Sequence, residues 1–505
     1  MKLLKKEAIP RIDAYATEVL DIPPTVLMGR AADAVADVVR AHVPSGGSVL
    51  ILAGCGNNGG DGYATAAALA ASHTVAVCEV FDRPPRTEEG QYYRSLSEAR
   101  GVPLFAFSTD DTLRERILTA DCLVDAVFGT GLRADVPAFV AELAAWIGAS
   151  PAYKVAVDIP LGVCADDGTV SSCAYRADTT VVLSYYKVGM LSYPAREYLG
   201  ELVLDTLGLP PIPEAQESPY ESVDLAVARR LMPVRGANTH KGSFGKLLTL
   251  VGSPRYRGAA HLALGAALRS GVGLVTFLGE SALVDSLLPI YPEAIYRTDG
   301  EALAELDRAH SATLIGCGCG ADASLGDTVV KLLLSEGTPL VLDADAINAL
   351  SLLGDVGRDA LRSSRRPVVL TPHPLELARL LGICVSAVQA DRLSVAMRTA
   401  EDLGVILVLK GAGTVVTDGT RVYLNTSGSS ALAKGGSGDV LAGLLGGLCA
   451  SGVDPLSAAA LAVFVHGAAA DRLAERYSTL GVTPSDLPQE MACVLGDLVR
   501  GASAP

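Results

Sequence analysis

Residues 48–62 read SVLILAGCGNNGGDG, and this stretch decides what kind of protein the chain can be. Ser48-Val-Leu-Ile-Leu52 is a short, nearly continuous apolar run, the pattern of a strand buried on both faces of a parallel sheet. It passes directly into Ala53-Gly-Cys-Gly-Asn-Asn-Gly-Gly-Asp-Gly62, and an alanine-rich helix is expected from there to about Ser72. Strand, glycine loop and helix make the first half of a βαβ unit. The loop then sits at the carboxyl end of a strand, where α/β proteins bind ligands.

The alternation continues outward. Helical spacing runs over 14–42, with Leu27, Met28, Ala31 and Val35 on one side. Strands are expected over 75–80, 122–128, 155–159, 180–183 and 202–204, and a helix over 88–100. Gly129-Thr-Gly131 and Asp158 fall at strand ends and should gather with the first loop along one rim of the sheet. Residues 209–220, LPPIPEAQESPY, hold four prolines among polar spacers, a linker composition, so the chain divides into 1–214 and 215–505. Past it, strands over 246–251, 312–315, 339–342, 367–370, 405–409 and 414–417 alternate with helices over 259–271, 375–381 and 387–402. A second α/β domain is expected.

Composition excludes several classes of function. At 505 residues the chain exceeds one ordinary core. A net charge of −15 argues against general binding to nucleic acid or anionic membranes, which both need basic surface. Residues 1–15 carry early charge and lack the apolar stretch of a signal peptide, and residues 456–470 are interrupted by His466 and read as a buried helix. Ten cysteines without a CxxC pair fit reduced thiols in the cytoplasm. Cys317 and Cys319 read as small buried residues rather than a metal or redox pair.

Two glycine loops carry the chemistry. Asn57-Asn-Gly-Gly-Asp61 is a compact polar nest that can hold phosphate through N–H groups or a cation through oxygens, or can simply be a turn. Residues 431–447, ALAKGGSGDVLAGLLGG, place Gly435, Gly436 and Gly438 before an apolar helix, with Asp439 in its first turn. Unpaired N–H groups and the helix dipole favour phosphate there, and the carboxylate can take a proton from an attacking hydroxyl; capping the helix is the plainer role. Lys410, beside Gly411 and Gly413, is an ammonium suited to phosphate. His466 reads as a satisfied packing residue, and Lys434 either adds a phosphate contact or points to solvent.

AGCGNNGGDG, DAVFGTGL, VDIP with Gly162, the segment Leu27-Met-Gly-Arg-Ala31, and Lys187 with Gly189 resemble the epimerase domain of the NAD(P)H-hydrate repair proteins. His240-Lys-Gly242, Gly252-Ser253, Gly258-Ala259, Asp343-Ala-Asp-Ala-Ile-Asn348, Thr371-Pro-His-Pro-Leu-Glu376, Lys410-Gly-Ala-Gly-Thr414 and Gly435–Asp439 resemble, in that order, the family's ADP-dependent dehydratase domain. The resemblance implies two three-layer α/β/α domains, the first Rossmann-like and the second ribokinase-like. It implies substrates NADHX and NADPHX, hydrated at ring carbon 6, whose R and S forms the first domain interconverts.

By that resemblance, Asn57, Asn58, Gly59, Gly60 and Asp61, with Gly129, Thr130, Gly131, Leu132, Arg133, Ala134 and Asp135, contact the substrate, and Asp158 faces the reacting nucleotide. Asn58 and Asp125 hold potassium, with a third ligand at Leu161. In the second half ADP lies on Lys410, Gly411, Ala412, Gly413, Thr414 and Gly438, with magnesium. Asp439 acts on the S hydrate, and Ala259, Gly320 and His373 line its pocket. AMP and phosphate leave, NAD(P)H is restored, and a homo-oligomer is expected.

Departures from the family pattern mark where this chain differs. Leu161 replaces the serine of DIPSG, so an ion ligand there must be a backbone carbonyl or a water. Gly316-Cys-Gly-Cys-Gly320 replaces GPGLG, and Ser437 replaces threonine in GGTGD while keeping a hydroxyl. Two other readings compete: an ATP-dependent kinase for a small alcohol, and a non-catalytic ligand-binding module in the first half.

Overall fold

In the computed structural model, which describes residues 1–130 and 137–502, the chain forms two compact units. One spans Lys2–Ser218; the other spans Pro219–Pro505 together with Met1.

The first unit is built on β1 (Ser48–Ala53), β2 (Thr74–Glu79), β3 (Leu104–Ala106), β4 (Cys122–Ala126), β5 (Tyr153–Val157), β6 (Thr179–Leu183) and β7 (Glu201–Asp205). They lie in the order β3-β2-β1-β4-β5-β6-β7, and every pairing is parallel. β4 and β6 are buried at every position, which is why these runs read as unbroken apolar segments. Side chains alternate between two cores, Val49, Ile51 and Val124 on one face and Leu50, Leu52 and Leu123 on the other. The order reverses direction beside β1, between β2 and β4, where the first glycine loop leaves the sheet.

The second unit adds β8 (Tyr220–Val223), β9 (Lys246–Leu250), β10 (Leu274–Leu278), β11 (Ile295–Arg297), β12 (Ala312–Ile315), β13 (Leu340–Leu342), β14 (Val368–Leu370), β15 (Ile406–Leu409), β16 (Val415–Thr417) and β17 (Val422–Asn425). Their order is β11-β10-β9-β12-β13-β14-β15-β16-β17-β8, parallel except at the two pairings made by β16. The helix Ser437–Ala450 is buried from Val440 to Ala450 and crosses the helix Arg257–Arg269 at very short range. A Cβ on Gly443 would stand 2.1 Å from the Ala263 carbonyl oxygen, so only glycine permits that approach.

Three expectations need correction. Residues 209–220 do not hang as a free linker: Ile212 and Ala215 are buried against Leu4 and Ile12, and Tyr220 begins an edge strand of the second sheet. The helix expected over 387–402 is two helices, Val385–Ala390 and Arg392–Leu403, because Asp391 leaves the helical conformation and caps the second by accepting from Ser394 N–H. The long helix of 14–42 begins only at Pro24, since Pro23 and Pro24 bar its extension backward. The helix Pro455–Gly481 is long and apolar enough to cross a membrane, but Ala458–Val465 lie in the second core.

Candidate active sites

A cavity of about 1070 Å³ opens at the carboxyl ends of β1, β4, β5 and β6. Asn57, Asn58, Asp61, Gly129, Thr130 and Asp158 line it, six residues that the sequence had assigned to binding. Gly131, Leu132, Arg133, Ala134 and Asp135 lie outside the described residues. Gly59 and Gly60 are closely packed as well: a Cβ on Gly59 would meet the Gly54 carbonyl oxygen at 1.9 Å, and one on Gly60 the Met28 Cε at 2.5 Å. Their bareness lets the helix Asn57–Leu69 seat on the strand end beside it.

Asp13, from the helix Ile9–Ala14, and Lys187 also reach the same cavity. Lys187 is 1 % exposed, and its ammonium is paired with Asp158 and donates to the Leu183 carbonyl at 3.0 Å. Asp158 sits just past β5 at φ 64°, a left-handed conformation that turns its carboxylate into the rim. Burial, then the charges of Asp158, Asp13 and Glu89, push the Asp61 carboxyl well above the usual range. Sequence spacing did not single out Asp13, because only the fold brings a residue from the first helix to this rim.

Asp125 lies beneath the rim. Its carboxylate accepts from Leu161 N–H at 2.7 Å, Val127 N–H at 3.1 Å and the Tyr175 hydroxyl at 2.8 Å. Burial raises its pKa, with those three donors opposing, and no cationic side chain contributes. Asn58 Nδ2 is buried without a partner; turning that amide over would set its oxygen there instead. A buried carboxylate lacking a counter-charge beside an unsatisfied amide fits a monovalent cation. Leu161 itself is fully buried in the apolar core, leaving only its backbone for such an ion.

In the second unit the groups form one connected chain. Asp439 stands in the first turn of the helix Ser437–Ala450, after Gly436 turns the backbone at φ 104°. Lys410, just past β15, donates to Asp343 Oδ1 at 2.7 Å and lies 3.9 Å from Glu376 Oε2. Its Nζ is also 3.4 Å from where a Gly438 Cβ would begin, so the ammonium hangs over the start of the helix. Asp343 accepts in addition from Thr371 Oγ1 at 2.6 Å and from Cys317 Sγ at 3.4 Å. Cys317, Asp343 and Asp439 offer ligand atoms within 4.8 Å of one another, two of them hard oxygens. Burial, then the Asp343 charge, raises the Asp439 carboxyl to about 6.

The remaining predicted residues surround this chain. His373 caps the helix Pro374–Leu381, its Nδ1 accepting from Leu375 N–H and Glu376 N–H, and its Nε2 lies 3.3 Å from Glu376 Oε1. Gly320 N–H donates to Asp345 Oδ2 at 2.8 Å, and Gly320 lines a cavity of about 320 Å³ with Gly252 and Cys319. Ala259 packs where Gly318 lacks a side chain. Gly411 and Gly413 take positive φ, Ala412 lies between them, and Thr414 Oγ1 bonds back to the Gly411 carbonyl at 2.9 Å. Sequence reasoning listed the motifs holding Asp343 and Glu376 without choosing those residues. Acid beside a strand end is common, and only the fold shows that both face Lys410.

One reading of a single residue is overturned and a second holds in part. Lys434 neither meets the phosphate turn nor points to solvent; it donates to the Val482 carbonyl and, at 2.7 Å, to the Leu480 carbonyl. His466 is buried, but its Nε2 has no hydrogen-bond partner, and burial lowers its pKa to about 4, keeping it neutral.

Residues 247–492 match the family described as NAD(P)H-hydrate dehydratase, and residues 24–189 match the YjeF-related protein N-terminus. The chain is 33 % identical to the bifunctional NAD(P)H-hydrate repair enzyme Nnr of Moorella thermoacetica, covering 99 % of this chain and 97 % of that one. It is 34 % identical to the Escherichia coli protein of the same name, over 95 % of this chain and 91 % of the relative. Among solved structures, the ADP/ATP-dependent NAD(P)H-hydrate dehydratase of Bacillus subtilis, co-crystallised with ATP and Mg2+, superposes with a TM-score of 0.50 at 31 % identity. That match covers 55 % of this chain and 98 % of the other.

Proposed function

This chain belongs to the family of bifunctional NAD(P)H-hydrate repair enzymes, and from that premise we propose how its two sites divide the work. The protein repairs hydrated nicotinamide nucleotides, with an epimerase domain and an ADP/ATP-dependent dehydratase domain. The kinase reading is not favoured, since full-length relatives carry the repair function over both domains.

In the dehydratase domain ADP lies along Lys410–Thr414 and Gly438, its β-phosphate at the N–H groups of the glycine turn. Asp439 takes the proton of the C6 hydroxyl as that oxygen attacks the phosphorus. A carboxyl raised to about 6 is ionised at neutral pH yet basic enough to accept, and this observation carries the reading. Lys410 neutralises charge building on the phosphate. Phosphate then leaves C6 with help from the ring nitrogen, C5 gives up a proton to water as the C5=C6 double bond forms, and NAD(P)H, AMP and phosphate are released. Magnesium bound with the nucleotide would spread phosphate charge, held by Asp343. Ala259, Gly320 and His373 shape the hydrate pocket around it.

In the epimerase domain Asn57–Asp61, Gly129–Asp135 and Asp158 hold the hydrate. Potassium would be bound by Asn58, Asp125 and the Leu161 backbone, its charge answering that of Asp125. Assembly as a homo-oligomer and a cytoplasmic location belong to the same proposal; ten free cysteines support a reducing compartment. One experiment tests the whole. Purified protein is given mixed hydrate epimers with ADP or ATP, in potassium or sodium buffer, and the absorbance of reduced nicotinamide is followed. Full recovery of both epimers with ADP in potassium is expected, and no recovery with either nucleotide overturns the reading.

A further inference from the structure

The carboxyl groups of Asp13, Glu18, Asp61, Glu89 and Asp158 and the cationic side chains of Lys6, Arg86 and Lys187 line the first domain's cavity, and their surroundings differ sharply. Asp158 is ion-paired with Lys187 and accepts from Leu183 N–H at 3.2 Å. The ammonium holding it is buried, bound also to a carbonyl, and so cannot swing away to solvent. Asp61 is 8 % exposed and its carboxyl has no hydrogen-bond or ion-pair partner among the described residues. The carboxylates of Asp158, Asp13 and Glu89 act on it in one direction and the Lys187 ammonium in the other. Burial and these neighbours favour the neutral acid at Asp61. Asp158 thus has a fixed cationic partner and Asp61 has none, a difference that suits one carboxyl to accept a proton and the other to donate it.

We propose that Asp61 is the proton donor and Asp158 the proton acceptor of the epimerisation at C6, with Lys187 the positioning residue that holds the acceptor. The proposal rests on the reading of this domain as an epimerase of a C6 hydrate. Carbon 6 carries a hydroxyl and is bonded to the ring nitrogen, so the nitrogen lone pair can expel the oxygen once it is protonated. Asp61 gives its proton to that hydroxyl, the C6–O bond breaks, one water leaves, and a ring cation with an N1=C6 double bond forms. One water adds to the other face of C6, forming a new C6–O bond and losing a proton to Asp158. Nothing is oxidised or reduced. The proton returns from Asp158 to Asp61 through solvent when the product departs.

The test uses the full-length protein, one pure hydrate epimer, and no nucleotide, in water enriched in heavy oxygen. Wild type is expected to place one heavy oxygen in each inverted molecule, read by mass spectrometry. Asp61→Asn should slow inversion at least ~100-fold. Asp61→Glu, which restores an acid, should recover part of the rate. Lys187→Met should slow inversion, because Asp158 then lacks the side chain that holds it in place, and Lys187→Arg should restore part of the rate. Inversion without heavy-oxygen uptake, a fast Asp61→Asn variant, or a wild-type rate in Lys187→Met overturns the proposal and leaves the epimerase intact. Wild type that inverts neither epimer overturns the epimerase reading itself.

Discussion

Lys410 Nζ donates to Asp343 Oδ1 over 2.7 Å, and this one bond ties the ends of two different strands to the glycine turn. The ammonium is pulled down by burial and raised more by Asp343 and Glu376, so its net shift is upward and it keeps its charge. Asp343 is buried, so it depends on this partner. Lys410→Met leaves that carboxylate unpaired and should cost about 3–5 kcal/mol, measured by denaturant unfolding. Dehydration should fall by roughly two orders of magnitude while epimerisation persists.

The dehydratase should lose activity in acid. Asp439 must be ionised to accept a proton, so the rate should rise with pH through about 6 and then level. Its folded-state value lies above its unfolded one, so ionising it weakens the fold. That cost is absent below about 4 and fully present above the folded value. Asp439→Asn should therefore melt higher than wild type at pH above neutrality, converge with it in acid, and be inactive at every pH.

Arg366 and Asp307 form an ion pair away from either site, at 2.7 Å, with the arginine side chain fully buried. Arg366 also donates to the Thr338 carbonyl, and Thr313 Oγ1 donates to Asp307. Arg366→Met should destabilise the protein by about 3–5 kcal/mol, because it strands Asp307 in the interior. The Michaelis constants of whatever folded protein remains should not change.

Gly443→Ala forces a methyl group toward the Ala263 carbonyl, which would lie 2.1 Å away. The helix Ser437–Ala450 must shift, carrying Asp439 with it. A loss of about 1–3 kcal/mol is expected, together with a fall in dehydratase kcat at unchanged epimerase rate. A variant with wild-type melting and turnover would show that the two helices pass less closely than this.

Most of the strands and the two glycine loops were legible in the sequence because each is a local signal; the strands Leu104–Ala106, Tyr220–Val223, Leu274–Leu278, Ile295–Arg297 and Val422–Asn425 were not, nor was the order of strands across either sheet. An apolar run such as 48–52 has to be buried on both faces, and a glycine turn before a helix has to expose N–H groups. Asp158, Lys410 and Asp439 could be named for the same reason: each stands at such a junction. What local spacing could not carry is which side chains meet. Asp13 with Lys187 and Asp61, or Glu376 and Asp343 with Lys410, are far apart along the chain and share a rim only because parallel strands all end on it. The same limit explains Lys434 and residues 209–220, whose composition suited solvent or a linker but whose partners lie elsewhere in the fold. Charge states were likewise decided by the fold, since burial and neighbouring carboxylates, acting through space, raise Asp61 and Asp439.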